Sequence, residues 1–154
     1  MIWLILAAAL LILLKVFLPG GAMSSYNWSD YSPAIQAFAQ AIAVAEGFGP
    51  AGNLATICNN PGDLTKGDYG DTGLYRTDAA GNQNIVFPTA AAGWGALAHK
   101  LSVIAAGTSP LYKPAMTFLD MSQVYSGSTS GDWGRNVANE LGALVTDQIG
   151  AYLL

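Results

Sequence analysis

The 154-residue chain is predicted to form one mainly α (α+β) domain with a small β-hairpin, preceded by a single transmembrane helix. Three patterns predict this fold class. Apolar residues recur at helical spacing in 32–45 and 89–106, two β-type segments flank a glycine-containing turn near residue 80, and an apolar run opens the chain. The expected divisions are an anchor over residues 1–18, a linker over 19–31 and a helical domain over 32–154.

The apolar run over residues 2–18 is interrupted only by Lys15. At about 1.5 Å per residue, the eighteen residues 1–18 span roughly 27 Å, slightly less than the ~30 Å hydrocarbon layer of a bilayer. A cleaved signal peptide is the alternative, but no basic residue precedes the run and no Ala-x-Ala site follows it. We therefore expect residues 2–18 to remain as an anchor in membrane lipid. Lys15 weakly favours a cytoplasm-like compartment on the domain side.

The linker over residues 19–31 is rich in Gly, Ser, Asn and Asp, which suits a spacer between the membrane and the domain. Its last three aromatic residues are Tyr26, Trp28 and Tyr31. They have two interpretations. They could lie at the membrane interface as an aromatic belt, or they could pack against the domain. The sequence favours neither.

The first helix of the domain is predicted to begin after Ser32, which can cap it, with Pro33 in its first turn. A buried stripe follows at three-and-four spacing: Ile35, Phe38, Ala39, Ile42 and Ala45. Glu46 lies on the same face, and Gly47 supplies a C-terminal stop. Apolar neighbours and the negative end of the helix dipole both favour a protonated carboxyl group. Glu46 is therefore a candidate general acid, able to protonate a glycosidic oxygen.

The competing interpretation of Glu46 is a solvated surface group, but the chain contains only two glutamates, Glu46 and Glu140. Glutamate is therefore not a routine surface residue here. The run Asn59-Asn60-Pro61-Gly62-Asp63-Leu64 follows, and it combines turn formers with side-chain amides. Such a loop suits sugar hydroxyl or acetamido groups. The residues of this loop that are predicted to contact substrate are Asn59, Asn60 and Asp63.

These segments together resemble the lysozyme-like lytic transglycosylases of phages and bacteria, which degrade peptidoglycan. The resemblance rests on Ala45-Glu46-Gly47-Phe48, on the Asn-Asn-Pro-Gly run, and on Phe87-Pro88-Thr89 with Gly93 ahead of a helix. Val124-Tyr125-Ser126 and the segment 137–142 are similar to the C-terminal part of that family. The resemblance covers roughly residues 32–154. It implies a lysozyme-like fold and peptidoglycan glycan strands as the partner.

The resemblance also implies a mechanism, in which Glu46 protonates the bond between N-acetylmuramic acid and N-acetylglucosamine. The substrate's acetamido group then stabilises the developing cation, and the muramyl 6-hydroxyl attacks. In such a fold the hairpin would form one wall of the cleft. Tyr75 and Phe87 are then candidates for stacking on sugar rings, with a place in the core as the alternative. Tyr125 is a further substrate-binding residue that the resemblance implies.

Two other functions remain open on sequence grounds. A hydrolytic muramidase of the inverting type would use Glu46 together with Asp63 to activate water. A non-catalytic virion or membrane protein could keep the same fold. For the enzyme, we expect a single-pass protein of a phage virion membrane or a bacterial inner membrane, with virion or envelope proteins as partners and with the domain reaching peptidoglycan.

Capping residues and breaks predict the remaining elements. Residues 74–77 and 84–87 flank a turn over 78–82 and indicate the β-hairpin. Thr89 can cap a central helix that continues to about residue 106. Its apolar positions are Trp94, Leu97, Leu101 and Ile104. His99 falls on the other side of this helix and is expected to be exposed. Further helices are predicted over 114–125, 132–141 and 146–153.

Composition limits the chemistry. The net charge of −4 argues against nucleic-acid binding, for which a basic surface is expected. Cys58 is the single cysteine, so no internal disulfide can form. A buried structural thiol is favoured over a nucleophile because no base adjoins it in sequence. One histidine and one cysteine offer no ligand cluster, so neither a metal nor another cofactor is expected.

Overall fold

The computed structural model describes residues 26–127 and 130–154. This part of the chain is mainly helical and has one small two-stranded antiparallel sheet, which confirms the predicted helical domain with a β-hairpin. The α-helices are α1 (Pro33–Ala45), α2 (Leu54–Ile57), α3 (Ala90–Ala105), α4 (Phe118–Tyr125) and α5 (Asp132–Glu140). The strands are β1 (Tyr75–Thr77) and β2 (Gln83–Ile85). Short 3₁₀ helices lie at Trp28–Asp30 and Ile149–Tyr152.

Helix α1 forms as predicted. The hydroxyl group of Ser32 accepts a hydrogen bond from the backbone N–H of Ile35 over 3.3 Å, and Pro33 occupies the first turn. The Ser32 hydroxyl group thereby satisfies one of the free N–H groups at the helix start. The ring of Pro33 fixes its φ angle near the helical value. The buried members of its apolar stripe are Ile35, Phe38, Ala39 and Ile42. This face packs against α3 and α5, so α1 runs through the centre of the domain.

The core lies between α1, α3, α4 and α5. Phe38 of α1 and Phe118 of α4 stack with their ring centroids 5.6 Å apart, and both are fully buried. Helix α3 contributes Leu97, Leu101 and Ile104 to the same core, as its spacing predicts. Fully burying a large apolar side chain stabilises a fold by about 1.5–3 kcal/mol. The packed core therefore fixes the relative positions of the helix ends.

Two glycines allow backbone segments to approach one another closely. A β-carbon at Gly134 of α5 would lie 2.2 Å from the carbonyl oxygen of Phe118, and one at Gly93 of α3 would lie 2.0 Å from that of Asn59. No other residue fits at either contact without a shift of the backbone. The Gly93 contact seats the Asn59-Asn60-Pro61-Gly62 loop directly on α3.

The hairpin pairs Tyr75 with Ile85, Arg76 with Asn84 and Thr77 with Gln83. Its strands are shorter than the predicted segments. Strand β2 is also held on its other side, because the backbone N–H of Ile85 donates to the carbonyl of Leu64 over 2.9 Å. The chain that follows the Asn-Asn-Pro-Gly loop is therefore hydrogen-bonded to the hairpin.

Two predicted helices are wrong in extent, and both errors have the same cause. The helix predicted over 114–125 begins only at Phe118, and the helix predicted over 146–153 is reduced to the Ile149–Tyr152 3₁₀ turn. The backbone N–H of Ile149 donates to the carbonyl of Met116, and that of Gly150 donates to the carbonyl of Pro114, each over 2.9 Å. The two segments thus bond to each other instead of forming helical hydrogen bonds.

His99 is half-buried, so its predicted exposure is wrong. Its ring stacks on that of Tyr26 with centroids 3.9 Å apart, and the edges of Tyr31 and Tyr69 also contact it. Burial lowers the pKa of the His99 imidazole. Residues 26–31 fold back across α3 and cover this ring, which is the packing interpretation of the linker aromatics.

The predicted anchor over residues 2–18 lies outside the described residues, as does most of the linker. Within the ranges 26–127 and 130–154, no helix has the length and apolar character needed to cross a bilayer.

Candidate active site

Glu46 lies directly after the last residue of α1. Its backbone N–H still donates to the carbonyl of Ile42 over 2.9 Å, whereas Gly47 takes the left-handed conformation with φ 69°. That conformation ends the helix and suits glycine, which has no β-carbon. The Glu46 carboxyl group is therefore held at the C-terminal end of α1, where the helix dipole disfavours a negative charge.

The carboxyl group of Glu46 is bound by Trp133 of α5. The indole N–H donates to Oε1 over 2.7 Å. Burial raises the pKa of Glu46 from 4.5 to about 7, the Trp133 hydrogen bond opposes this shift, and the nearby Asp63 carboxylate adds to it. Close to neutral pH, Glu46 is therefore divided between its protonated and ionised forms. A group in this state can both donate and accept a proton.

Tyr125 holds Trp133 in place. The two rings stack with centroids 4.4 Å apart and an interplanar angle of 15°. The Tyr125 hydroxyl group donates a short hydrogen bond to the carbonyl of Gly62, in the loop that precedes Asp63. Burial, with the Glu46 carboxylate as the next cause, raises the pKa of Tyr125 well above 10, so this hydroxyl stays neutral. A chain of contacts thus joins the loop, α4, α5 and the end of α1.

Asp63 is the second carboxylate beside Glu46. Its backbone is left-handed, with φ 46°, and its N–H donates to the carbonyl of Asn60 over 3.1 Å. Burial, and then the Asp78 carboxylate, raises the pKa of Asp63. Its Oδ1 atom is buried and has no hydrogen-bond partner among the described residues. Asp63 is thus a mostly buried acid, and its Oδ1 atom makes no hydrogen bond with the described residues.

Glu46 and Asp63 line one cleft of about 380 Å³. The other described residues that line it are Thr65, Asn82, Asn84, Tyr125, Ser126 and Gly127. This volume lies within the range of small-molecule sites, about 300–1,000 Å³. Most of the lining side chains are polar, which suits a ligand rich in hydroxyl and amide groups.

A second cavity of about 340 Å³ adjoins this cleft, because Asp63, Thr65 and Tyr125 line both. Lys100 lies in its wall, buried, with Nζ 2.9 Å from Oδ1 of Asp68. The same Nζ lies 5.0 Å from the centroid of the Tyr125 ring. Asp63, Thr65 and Tyr125 therefore belong to the walls of both cavities.

The structure brings three of the predicted site residues together at the cleft, namely Glu46, Asp63 and Tyr125. It does not bring the others there. Asn60 is fully buried, and its amide is hydrogen-bonded to the backbone of Leu64 and to the carbonyl of Ile85. The Asn59 amide donates to the carbonyl of Phe87 over 3.0 Å.

The two hairpin aromatics also lie elsewhere. Phe87 is buried in the core, which is the alternative interpretation of this residue. The Tyr75 hydroxyl donates to Asp71 over 3.0 Å, and the Lys66 ammonium group lies 5.5 Å from the centroid of its ring. Neither residue lines the Glu46 cleft.

Sequence reasoning missed Trp133 and Asn84. Trp133 lies in a helix that was predicted, but its partner Glu46 is 87 positions away, and nothing local indicates the contact. Asn84 carried one usable signal, because it is the polar residue directly before Ile85-Val86-Phe87 in the second predicted strand. Cys58 is buried and free, and no group of three His, Cys, Asp or Glu side chains in the described part of the chain could hold a metal ion.

No protein-family model matches the chain, and no curated protein or solved structure is significantly similar to it. The interpretation of the cleft therefore depends on its own residues and on their chemistry.

Proposed function

We propose that this protein is a membrane-anchored peptidoglycan lytic transglycosylase with a lysozyme-like domain, in which Glu46 is the single general acid. The observation that carries the proposal is the Glu46 carboxyl group, which faces a polar cleft with a pKa of about 7. Trp133 occupies Oε1, and no hydrogen bond within the described residues reaches Oε2. Oε2 is then the oxygen that carries the transferable proton into the cleft.

In the proposed reaction, Glu46 donates this proton to the glycosidic oxygen between N-acetylmuramic acid and N-acetylglucosamine. The bond from C1 to that oxygen breaks, and the acetamido carbonyl oxygen of the substrate stabilises C1. The muramyl 6-hydroxyl then bonds to C1 and returns its proton to Glu46. The product is a 1,6-anhydromuramyl end, and no water is consumed. Positioned general acids contribute about 10²- to 10⁴-fold to such reactions.

Hydrolysis is the second candidate reaction, and Asp63 is the observation that favours it. Its free Oδ1 atom lies in the same cleft as Glu46 and could accept a hydrogen bond from a water molecule. An inverting hydrolase needs a second carboxylate to activate water on the far side of the sugar. Such an enzyme would release reducing sugar ends, so the products distinguish the two reactions.

The proposed location follows from the sequence. Residues 2–18 would anchor the protein in a phage virion membrane or a bacterial inner membrane, from which the domain reaches the glycan strands. Virion or envelope proteins would be its partners. An intact-mass measurement of membrane-extracted protein tests the anchor, since a species beginning near residue 22 would mean that the segment is removed.

A digest of purified peptidoglycan by the full-length protein in detergent tests the reaction. Mass analysis should find 1,6-anhydromuramic products with the wild-type chain. Glu46→Gln keeps the size of the side chain and its acceptor for Trp133 but cannot donate the proton. The rate of product formation should therefore fall by at least about 10²-fold. Glu140→Gln, at an exposed position in α5, is the matched control and should stay within about threefold of wild type.

If Glu46→Gln forms product as fast as wild type, the general-acid assignment is overturned. Reducing ends in place of anhydro ends would establish the hydrolase. The absence of any cleavage by the wild-type chain would favour the non-catalytic alternative.

A further inference from the structure

Asn84 lines the Glu46 cleft and is fully buried. Neither its Nδ2 donor nor its Oδ1 acceptor has a hydrogen-bond partner among the described residues. Nearly all buried polar groups in proteins are hydrogen-bonded, because a buried donor or acceptor without a partner is destabilising. A buried amide that lacks partners and lines a cleft therefore indicates a group that a ligand completes.

The backbone around Asn84 is held on both sides. In the hairpin, Asn84 lies opposite Arg76, and on its other side it forms a bridge with Thr65. Next to that bridge the backbone N–H of Lys66 donates to the carbonyl of Gln83 over 2.9 Å. These pairs fix the backbone of Asn84 in the strand, so its side chain always leaves the backbone from the same position beside the cleft.

Asn60 shows that burial alone does not leave an amide without partners in this protein. It is the same residue type and equally buried, yet its Nδ2 donates to the carbonyls of Leu64 and Ile85 and its Oδ1 accepts from the N–H of Leu64. Of these two buried asparagines, Asn84 is the one that lines the cleft and has no hydrogen-bond partner for its amide among the described residues.

Asp63 adds a third unpaired atom, because it lines the same cleft and its buried Oδ1 has no partner in the part of the chain that the structure describes. The hydroxyl oxygen of Ser122 also lacks a partner within residues 26–127 and 130–154, but Ser122 does not line the cleft. Asp63 and Asn84, which carry these unpaired atoms, thus both line the cleft that Glu46 also lines, where the proposed reaction takes place.

We propose that Asn84 binds the N-acetylated sugar beside Glu46, an assignment that rests on the function proposed above. Its Oδ1 accepts a hydrogen bond from the acetamido N–H, and its Nδ2 donates to the neighbouring oxygen on C3 of the ring. A carboxamide presents its donor and acceptor side by side, and these two sugar groups lie on adjacent ring carbons. The pairing leaves the acetamido carbonyl oxygen free to stabilise C1.

Glycan binding by the full-length protein in detergent tests this assignment, with Glu46→Gln present throughout to prevent cleavage. The probes are chitotetraose, which carries acetamido groups, and cellotetraose, which does not. Calorimetry should show that chitotetraose binds at least about tenfold more tightly. Adding Asn84→Leu, which removes both polar atoms, should weaken chitotetraose binding by about 10- to 100-fold. Cellotetraose keeps the oxygen on C3 but offers no acetamido N–H to Oδ1, so its binding should weaken less, by no more than about threefold.

Two further variants support the test. Gln83→Leu removes an exposed amide from the adjacent strand position and should leave both affinities unchanged. Asn84→Asp keeps the shape of the side chain and one acceptor but loses the N–H donor, so it should weaken chitotetraose binding by at least about threefold. Asn84→Asp also replaces Asn84→Leu in the binding test if Asn84→Leu does not fold. The melting temperature of Asn84→Leu should stay level or rise, because an unpaired buried amide is removed.

Unchanged chitotetraose binding in both Asn84 variants would overturn the assignment and show that water alone completes the amide, while the proposed function would stand. If neither glycan binds the Glu46→Gln chain, the proposed function and the assignment of Asn84 both fail.

Discussion

The indole N–H of Trp133 donates a 2.7 Å hydrogen bond to Oε1 of Glu46 and so joins α5 to the end of α1. This hydrogen bond opposes the effect of burial on the pKa of Glu46. Burial favours the protonated carboxyl group, whereas the donated hydrogen bond favours the carboxylate and lowers its pKa. The pKa of about 7 is the balance of these influences with the repulsion from Asp63. Stacking on Tyr125 fixes the indole ring, so the balance depends on the packing of three helices.

Trp133→Phe should raise the pKa of Glu46 further, because it removes the donor but leaves burial unchanged. The alkaline limb of the pH profile of kcat/KM for peptidoglycan cleavage should then move to higher pH. The smaller ring should also cost about 1–3 kcal/mol of stability. Trp94→Phe is the matched control, since Trp94 packs on Trp28 and Phe48 away from the cleft. A profile that stays in place, or moves to lower pH, would contradict the role given to this hydrogen bond.

Glu46→Gln should become more stable relative to wild type as the pH rises. The folded-state pKa of Glu46 is about 7 against 4.5 when exposed, so the folded state binds the proton more tightly. The contribution of the protonated carboxyl group is therefore fully present below about pH 4.5 and is lost as the pH rises through 7. Above pH 7 the variant should exceed wild type by up to about 3 kcal/mol.

Urea denaturation at pH 4, 6 and 8 measures this difference. Glu140→Gln, an exposed carboxyl group changed in the same way, should alter the free energy of unfolding by no more than about 0.5 kcal/mol. A Glu46→Gln chain whose advantage does not grow between pH 4 and pH 8 would be inconsistent with a buried, protonated acid.

Asn60→Ala should unfold more easily, because two buried backbone groups lose the hydrogen bonds that Asn60 makes to them. These are the N–H of Leu64 and the carbonyl of Ile85, whereas the carbonyl of Leu64 keeps its hydrogen bond from the N–H of Ile85. At about 1–3 kcal/mol for each unpaired buried group, with partial relaxation, we expect a loss of about 2–4 kcal/mol. Thermal melting and cleavage should fall together. Loss of cleavage at unchanged stability would instead restore the predicted contact between Asn60 and substrate.

Gly93→Ala should destabilise the domain, although the same change inside a helix ordinarily stabilises it by up to about 1 kcal/mol. The added β-carbon would lie 2.0 Å from the carbonyl oxygen of Asn59, so α3 or the loop must move. We expect a loss of about 2–4 kcal/mol in urea denaturation, together with reduced cleavage. Ala91→Gly, at an exposed position of α3, should cost only about 1 kcal/mol. A Gly93→Ala chain as stable as wild type would show that this contact is not fixed.

Local sequence patterns determined α1, α3 and the hairpin. The Ser32 cap, the apolar stripe of α1 and the stop at Gly47 are decided within a few residues of one another, so they could be predicted without knowledge of the fold. The same holds for the start of α3 at Thr89, whose hydroxyl accepts a hydrogen bond from the N–H of Ala92. The place of Glu46 at the end of an apolar helix was predictable for this reason.

Only the tertiary structure decided what surrounds Glu46 and which polar residues face the cleft. Trp133 reaches Glu46 through the packing of α5 on α1, a contact with no local signal. Asn60 and Asn84 have the same side chain, and both lie next to turns or strands. Asn60 turns inward to complete backbone hydrogen bonds, whereas Asn84 lines the cleft with its amide unpaired. Which of them is satisfied depends on chain segments about 20 residues apart, and residue type alone does not encode that pairing.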